Sequence, residues 1–137
     1  MKVLVTGGAG FIGSHIVEHF SNKAEIRVLD NLRSGFRENL EEFDVNLIEG
    51  SVTDQESVKK AVKNVDYIFH LAAMISVPES MEKPEECVDI NTLGTLNLLR
   101  EAADAGVSKL CFSSSAAIYG DNPTVPKLES MQPEPKS

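Results

Sequence analysis

The chain has 137 residues, enough for one domain with a buried core. Lysine and arginine total 13 against 21 aspartates and glutamates, a net charge of −8 with no visible basic face, which argues against nucleic-acid binding. No stretch approaches the roughly 20 apolar residues of a membrane span, and the N-terminus has a strand and a glycine loop where a signal peptide has its apolar region, so a cytoplasmic protein without membrane contact is expected.

The apolar run Val3, Leu4 and Val5 reads as a buried parallel strand, and the glycines after it turn the chain into a helix from about Phe11 to Ser21. Gly7 suits a tight turn, Gly10 lets the backbone approach a pyrophosphate, and Gly13 lets the helix lie against the strand. The unpaired N–H groups at the start of that helix would face the anion. Ile12, Ile16, Val17 and Phe20 recur at helical spacing, whereas His15 and His19 read as surface residues with no metal-ligand set around them. Glycines alone also mark ordinary strand-to-helix turns. The second apolar run, Ile26 to Leu29, however, ends at Asp30, where a dinucleotide motif expects an acid for the adenosine ribose.

The turn Asn31-Leu32-Arg33-Ser34-Gly35 should wrap the adenosine end. Asp30 would accept from the ribose hydroxyls and repel a 2′-phosphate, favouring NAD over NADP, while Arg33 is either a partner for such a phosphate or, more simply, a solvated loop charge. A short helix from about Phe36 to Glu42 precedes a third strand, Val45 to Ile48. Thr53 or Asp54 suits the cap of the next helix, which runs to about Lys63 with Val58, Ala61 and Val62 inward.

The fourth strand, Tyr67 to Leu71, runs into Ala72 and Ala73, small residues against which a flat ligand can lie. Ser76 to Glu79 reads as a loop containing Pro78. Pro84 suits the first turn of a long helix from about Glu85 to Ala105, with apolar positions Val88, Leu93, Leu96, Leu99 and Ala103 and a stop at Gly106. Asn91, in that helix, is either a locally bonded amide or a group reaching toward a cofactor. Cys87 and Cys111 lack metal-ligand spacing and read as packing thiols.

A fifth strand, Lys109 to Phe112, empties into Ser113-Ser114-Ser115-Ala116-Ala117. No Ser-His-Asp set or Gly-x-Ser-x-Gly elbow accompanies the serines, so hydrolysis is not expected. From Asp121 onward Pro123, Pro126, Pro133 and Pro135 forbid helix. The alternation predicts an α/β doubly wound parallel sheet of Rossmann type, order 3-2-1-4-5 with helices on both faces, a sheet that normally continues to a sixth strand. Residues 1–120 form the expected domain, and 121–137 an extended segment leading out of it.

Several segments together resemble the extended short-chain dehydrogenase/reductases, in the NAD-dependent epimerase/dehydratase branch, and most of all the UDP-hexose 4-epimerases. They are Thr6 to His15, Asp30 to Gly35, His70 to Ala73, Asn91 to Thr95, and Phe112 to Gly120. The resemblance implies NAD as cofactor and a UDP-sugar as substrate. Gly7, Gly10, Phe11, Ile12 and Gly13 would then cradle the pyrophosphate, Asp30 and Asn31 the ribose, and Ser34 and Gly35 a nearby phosphate or ribose. Leu71, Ala72 and Ala73 would line the cofactor's middle and Asn91 would support it; Arg33 and Ser113 fall in the same segments and count among its contacts. Ser51 replaces the family's adenine-contacting Asp, which leaves part of adenine recognition at Ser51 and Val52 to backbone.

Ser115 falls on the family's catalytic serine, and the loop Ser76 to Ser80 is similar to that of epimerases accepting N-acetylated hexosamines, placing Ser76 and Ser115 on the substrate side. In the family's mechanism a tyrosine phenolate takes the sugar's 4-hydroxyl proton through the serine, and hydride leaves carbon 4 for nicotinamide. The 4-keto sugar turns in the site and takes hydride back on its other face. Dehydratases carry carboxylates just after this serine, and here those positions are Ala116 and Ala117, which favours epimerisation. The family's Tyr-x-x-x-Lys pair is not found after Ser115: Tyr119 has no lysine four positions on. The expectation is the amino-terminal part of a longer, homodimeric enzyme, inactive by itself, with an apolar face on the long helix left exposed. The other readings are a non-catalytic NAD-binding or redox-sensing module, or another reductase, dehydratase or decarboxylase of the family.

Overall fold

Alternation along the strands divides the interior into two cores. In the computed structural model, which describes residues 1–136, β1 (Lys2–Thr6) sends Val3 and Val5 to one side and Leu4 to the other, all of them buried. β2 (Glu25–Asp30) does the same, with Ile26 and Val28 opposite Leu29. With β3 (Val45–Glu49), β4 (Tyr67–His70) and β5 (Lys109–Phe112) they form one parallel sheet in the order β3-β2-β1-β4-β5, the order expected from the sequence.

One face is covered by α1 (Phe11–Phe20), whose Val17 is buried among Val3, Val5, Ile26 and Val28; Ile16 and Phe20 pack beside it. Ile12 departs from the expected stripe and is 59% exposed at the helix start. The opposite face is covered by α2 (Gln55–Val62) and α5 (Gly94–Asp104). Asp54 caps α2, accepting from Ser57 N at 3.1 Å, and Val58, Ala61 and Val62 turn inward as expected. Arg27 of β2 donates from Nη1 to the carbonyls of Ala61 and Lys63 at 2.7 and 2.8 Å, closing the end of α2.

Three expectations need correction. The helix foreseen from Phe36 to Glu42 is a single 3-10 turn, Arg37–Leu40, with Leu40 buried beneath it. Ser76 to Glu79 is no loop: Ser76 caps a short helix, α3 (Val77–Glu82), accepting from Glu79 N, and Pro78 sits in the first turn, where its missing N–H costs nothing. The long helix is in three parts, α4 (Pro84–Val88), a wider π turn (Asp89–Leu93) and α5. Its inward residues are Gly94, Leu98 and Ala102, spaced four apart, whereas Val88, Leu93, Leu96, Leu99 and Ala103 are exposed. Gly94 lets α5 close on the turn after β3, since a Cβ there would lie 2.6 Å from Val52 Cγ2.

After β5 the chain makes one 3-10 turn, Ala116–Tyr119, and then runs without further helix or strand through the described part of the proline-rich segment. Ser137, counted in that segment above, lies outside the described residues. Among the described residues no helix is long and apolar enough to cross a membrane.

Candidate dinucleotide site

The carboxyl ends of β1, β2 and β4 meet at the glycine loop. Gly7 has φ +71°, and a Cβ there would come within 2.7 Å of Ala72 N, so only glycine fits the turn. At Gly13 a Cβ would overlap the Gly7 carbonyl and lie 2.7 Å from Gly8 Cα; its lack of side chain lets α1 close on the loop itself rather than on the strand. Gly10 differs, because beyond the Gly7 carbonyl its Cβ would meet open space. As the N-cap of α1 it brings no side-chain acceptor, so the first-turn N–H groups are left for an external anion. Phe11, 79% exposed, and Ile12 flank that opening.

Asp30 is buried and turned into the same loop. Its Oδ2 accepts from Ala9 N at 2.9 Å and its Oδ1 from Leu32 N at 2.8 Å. A carboxylate has about four acceptor sites, so each oxygen keeps one for a ribose hydroxyl. Leu32 has φ +56°, and the turn holding it is pinned by Asp30 and by Asn31 Oδ1, which accepts from Arg33 N at 3.1 Å. Gly35 lies against the loop, where a Cβ would be 2.7 Å from the Ala9 carbonyl carbon; Phe36 N and Asn39 Nδ2 donate to the Ala9 carbonyl. Ser34 is exposed beside them.

Arg33 is exposed, as a loop charge would be, but it is paired. Nη2 donates to Glu79 at 2.5 Å and Nη1 to Glu86 at 2.7 Å, tying the turn after β2 to α3 and α4. Partial desolvation opposes the charge, but the bonds and charges of Glu79 and Glu86 outweigh it and raise the guanidinium above its ordinary value. Beside this pairing, between the turn after β2, the chain after β3 and the segment from α4 into α5, lies a cavity of roughly 630 Å³, lined by Asn31, Arg33, Ser51, Glu86, Leu93 and Arg100 among others. Val52 is buried with its side chain against Gly94, so any contact from it to a ligand falls to its backbone.

Under the other end of the crevice is a buried polar network. Thr6 and His70 are register partners on β1 and β4; Thr6 Oγ1 and His70 Nδ1 are 2.6 Å apart, and His70 Nε2 is 2.9 Å from Thr95 Oγ1. Leu71 N and Ala72 N both donate to Thr6 Oγ1 at 3.3 Å, and Thr95 Oγ1 donates to the Asn91 carbonyl at 2.8 Å. These bonds assign the hydrogens: Thr6 gives its proton to Nδ1, and His70 is the neutral Nε2–H tautomer donating to Thr95. Burial pushes the His70 pKa down to about 4, consistent with that neutral form. The network fixes the backbone of Leu71 and Ala72, half-buried at the crevice floor, and leads to exposed Ala73.

Asn91 has both amide atoms engaged, accepting from Met74 N at 2.8 Å and donating to the Met74 carbonyl at 3.0 Å. It is a locally bonded amide that holds the segment after Ala73. Ser113 N donates to the His70 carbonyl, which seats the serine run beside β4; Ser115 is exposed, its Oγ accepting from Ala117 N at 3.2 Å. Ser76, engaged as the cap of α3, is separated from Ser115 by the whole helical segment in sequence.

Of the residues singled out in the sequence, Asn31, Arg33 and Ser51 line the cavity, and Gly7, Gly10, Gly13, Asp30 and Gly35 are gathered at the glycine loop. Those missed are His70 and Thr6 as a pair, Thr95, Glu79, Glu86 and Ile90. The first two carried a signal, being polar residues at matching ends of adjacent strands; the acids on α3 and α4 carried none, because their position depends on the kinked path of those helices.

A glycine loop under a helix start, with a buried acid at the end of the neighbouring strand, defines a Rossmann-type dinucleotide-binding domain. The model of the NAD dependent epimerase/dehydratase family matches residues 3–137, and the chain belongs to that family. It is 40% identical to the UDP-glucose 4-epimerase of Streptomyces lividans over 98% of its own length and 42% of the relative's. Its fold is similar to the Thermus thermophilus UDP-glucose 4-epimerase in complex with NAD, with a TM-score of 0.87 and 44% identity over 100% of this chain and 45% of the other. It is also similar to the UDP-N-acetylglucosamine 4-epimerase of Methanobrevibacter ruminantium M1 in complex with UDP-N-acetylmuramic acid, with a TM-score of 0.86 and 40% identity over 99% and 44%. The chain spans less than half the length of these three proteins.

Proposed function

We propose that these residues supply the NAD site of an NAD-dependent UDP-hexose 4-epimerase. The observation that carries the reading is the cradle itself: Gly7 and Gly13 close the loop, Gly10 leaves it open outward, and Asp30 stands beside it with acceptor capacity to spare. Bound NAD would supply the hydride acceptor and donor for carbon 4 of the sugar. The first-turn N–H groups of α1 would hold the pyrophosphate, and Asp30 would orient the adenosine ribose, with Asn31 and Ser51 beside it in the cavity. The backbone of Leu71 to Ala73, held by Thr6 and His70, would form the floor under the nicotinamide half. Ser115, exposed at the end of β5, would face the sugar, and Ala116 and Ala117 offer no acid for a dehydration. The exposed Val88 and Leu99, which lie outside the cavity lining, would serve a homodimer face in the whole enzyme.

Calorimetric titration of the chain with NAD tests the first part, with saturable 1:1 binding expected and no heat of binding refuting it. Incubating the full-length enzyme with UDP-galactose or UDP-N-acetylglucosamine and NAD, and following the sugar anomeric signals by NMR, tests the second, with unchanged signals refuting it. A net accumulation of NADH would point to a reductase of the same family instead.

A further inference from the structure

Arg33 joins the turn after β2 to α3 and α4. Arg33 is the only cation between Asp30 and Phe36, and it lines the cavity together with Asn31 and Ser51. Its backbone is fixed by Asn31, and both terminal nitrogens are spent on carboxylates: Glu79 of α3 and Glu86 of α4. Lys83, between them, lies 3.7 Å from Glu79 Oε1 and 3.7 Å from Glu86 Oε2, too far for strong hydrogen bonds. The pair of N–H groups with which arginine grips a phosphate end-on is therefore occupied. Glu86 itself lines the cavity, so a phosphate beside Arg33 would meet a carboxylate first; Arg100 of α5 lines the cavity as well, outside this clasp.

We propose that Glu79 and Glu86 set the dinucleotide preference of this site: by holding Arg33 they withdraw the cation of the turn after β2 that could receive a 2′-phosphate. Asp30 would accept the free 2′-hydroxyl, and the clasp would refuse its phosphorylated form. This inference rests on the reading of the cavity as the adenosine end of an NAD site. It assigns specificity to two residues far from Asp30 in sequence, on helices that carry no part of the glycine motif.

The test is titration of the chain with NAD and NADP. The double variant Glu79→Gln/Glu86→Gln, which frees Arg33 and keeps side-chain size, should bind NADP about tenfold more tightly, the size expected from two partly exposed charges, while NAD affinity changes by less than about threefold. Adding Arg33→Ala to that variant should cancel the gain. Should the double variant fail to fold by circular dichroism, Glu86→Gln alone carries the same test, with a gain of about threefold in NADP affinity. An unchanged NADP/NAD ratio in a variant that still binds NAD overturns the inference and leaves the NAD reading standing; so does a gain that survives removal of Arg33. If the unmodified chain binds neither nucleotide, the NAD reading fails and this inference falls with it.

Discussion

Around the glycine loop, Gly8, Ala9 and Asp30 are buried, and the Ala9 carbonyl and amide and both Asp30 oxygens are bonded within the chain. At the other side of the same crevice, β5 shows Lys109, Cys111 and Phe112 to solvent, and Ser113 to Ala117 are all exposed. Both regions sit at the carboxyl ends of parallel strands, yet only the first is covered on both faces, as parallel strands usually are. The difference separates two jobs. On the function proposed above, the loop would be rigid before NAD arrives, because its backbone would be the binding surface, whereas the serine end would be completed by the substrate or partner that covers it.

The sharpest way to break this contrast is Gly13→Ala. The added Cβ would collide with the backbone of Gly7 and Gly8, so about 3 kcal/mol of stability and most NAD binding should be lost, as read by urea denaturation and calorimetry. An unchanged midpoint would mean that the loop is more pliant than its packing indicates. Next in size is the acid response of the buried network. His70 titrates near 4 in the fold against an ordinary 6.5, so the unfolded chain binds more protons between those values. Its contribution is therefore complete above pH 6.5 and is lost as pH falls toward 4, about 2 kcal/mol having gone by pH 5. Denaturation of the chain and of His70→Asn at pH 7 and pH 5 should show that the acid-induced loss is smaller in the variant.

Asp30→Ala should cost about 1–2 kcal/mol, because the buried amide of Ala9 and the amide of Leu32 lose their acceptor, and it should weaken NAD binding as well. Thermal melts and titration read the two effects separately, and unaltered affinity would remove Asp30 from the ribose contact. The smallest effect is expected at the open end: Ser115→Ala gives up one exposed bond to Ala117 N and should stay within about 0.5 kcal/mol of the parent. A large loss there would show that the serine turn supports the fold after all.

The same contrast explains what the sequence made legible. The five strands and their order followed from short apolar runs and the handedness of parallel crossovers, and Asp30 followed from its place at the end of one of them. Gly7, Gly10 and Gly13 were readable because each answers a local backbone need. The helical segment from Ser76 to Asp104 was misread where local pattern and tertiary packing disagree. The apolar positions 93, 96 and 99 are exposed, and the inner face is formed instead by Gly94, Leu98 and Ala102, which the apolar pattern did not single out. Arg33 looked solvated because its partners lie on α3 and α4, elements whose relative placement no periodicity encodes.

The wide turn at Asp89–Leu93 has a consequence for the length of the chain. Deleting Thr92 would restore regular winding and rotate everything before it by about 100° relative to Leu98 and Ala102. The half of the helix seated on the sheet would stay in place, while Glu86 would swing out of reach of Arg33 and Asn91 out of step with Met74. The surplus residue acts as a phase shifter, letting one half of the segment keep time with the interior and the other with the crevice.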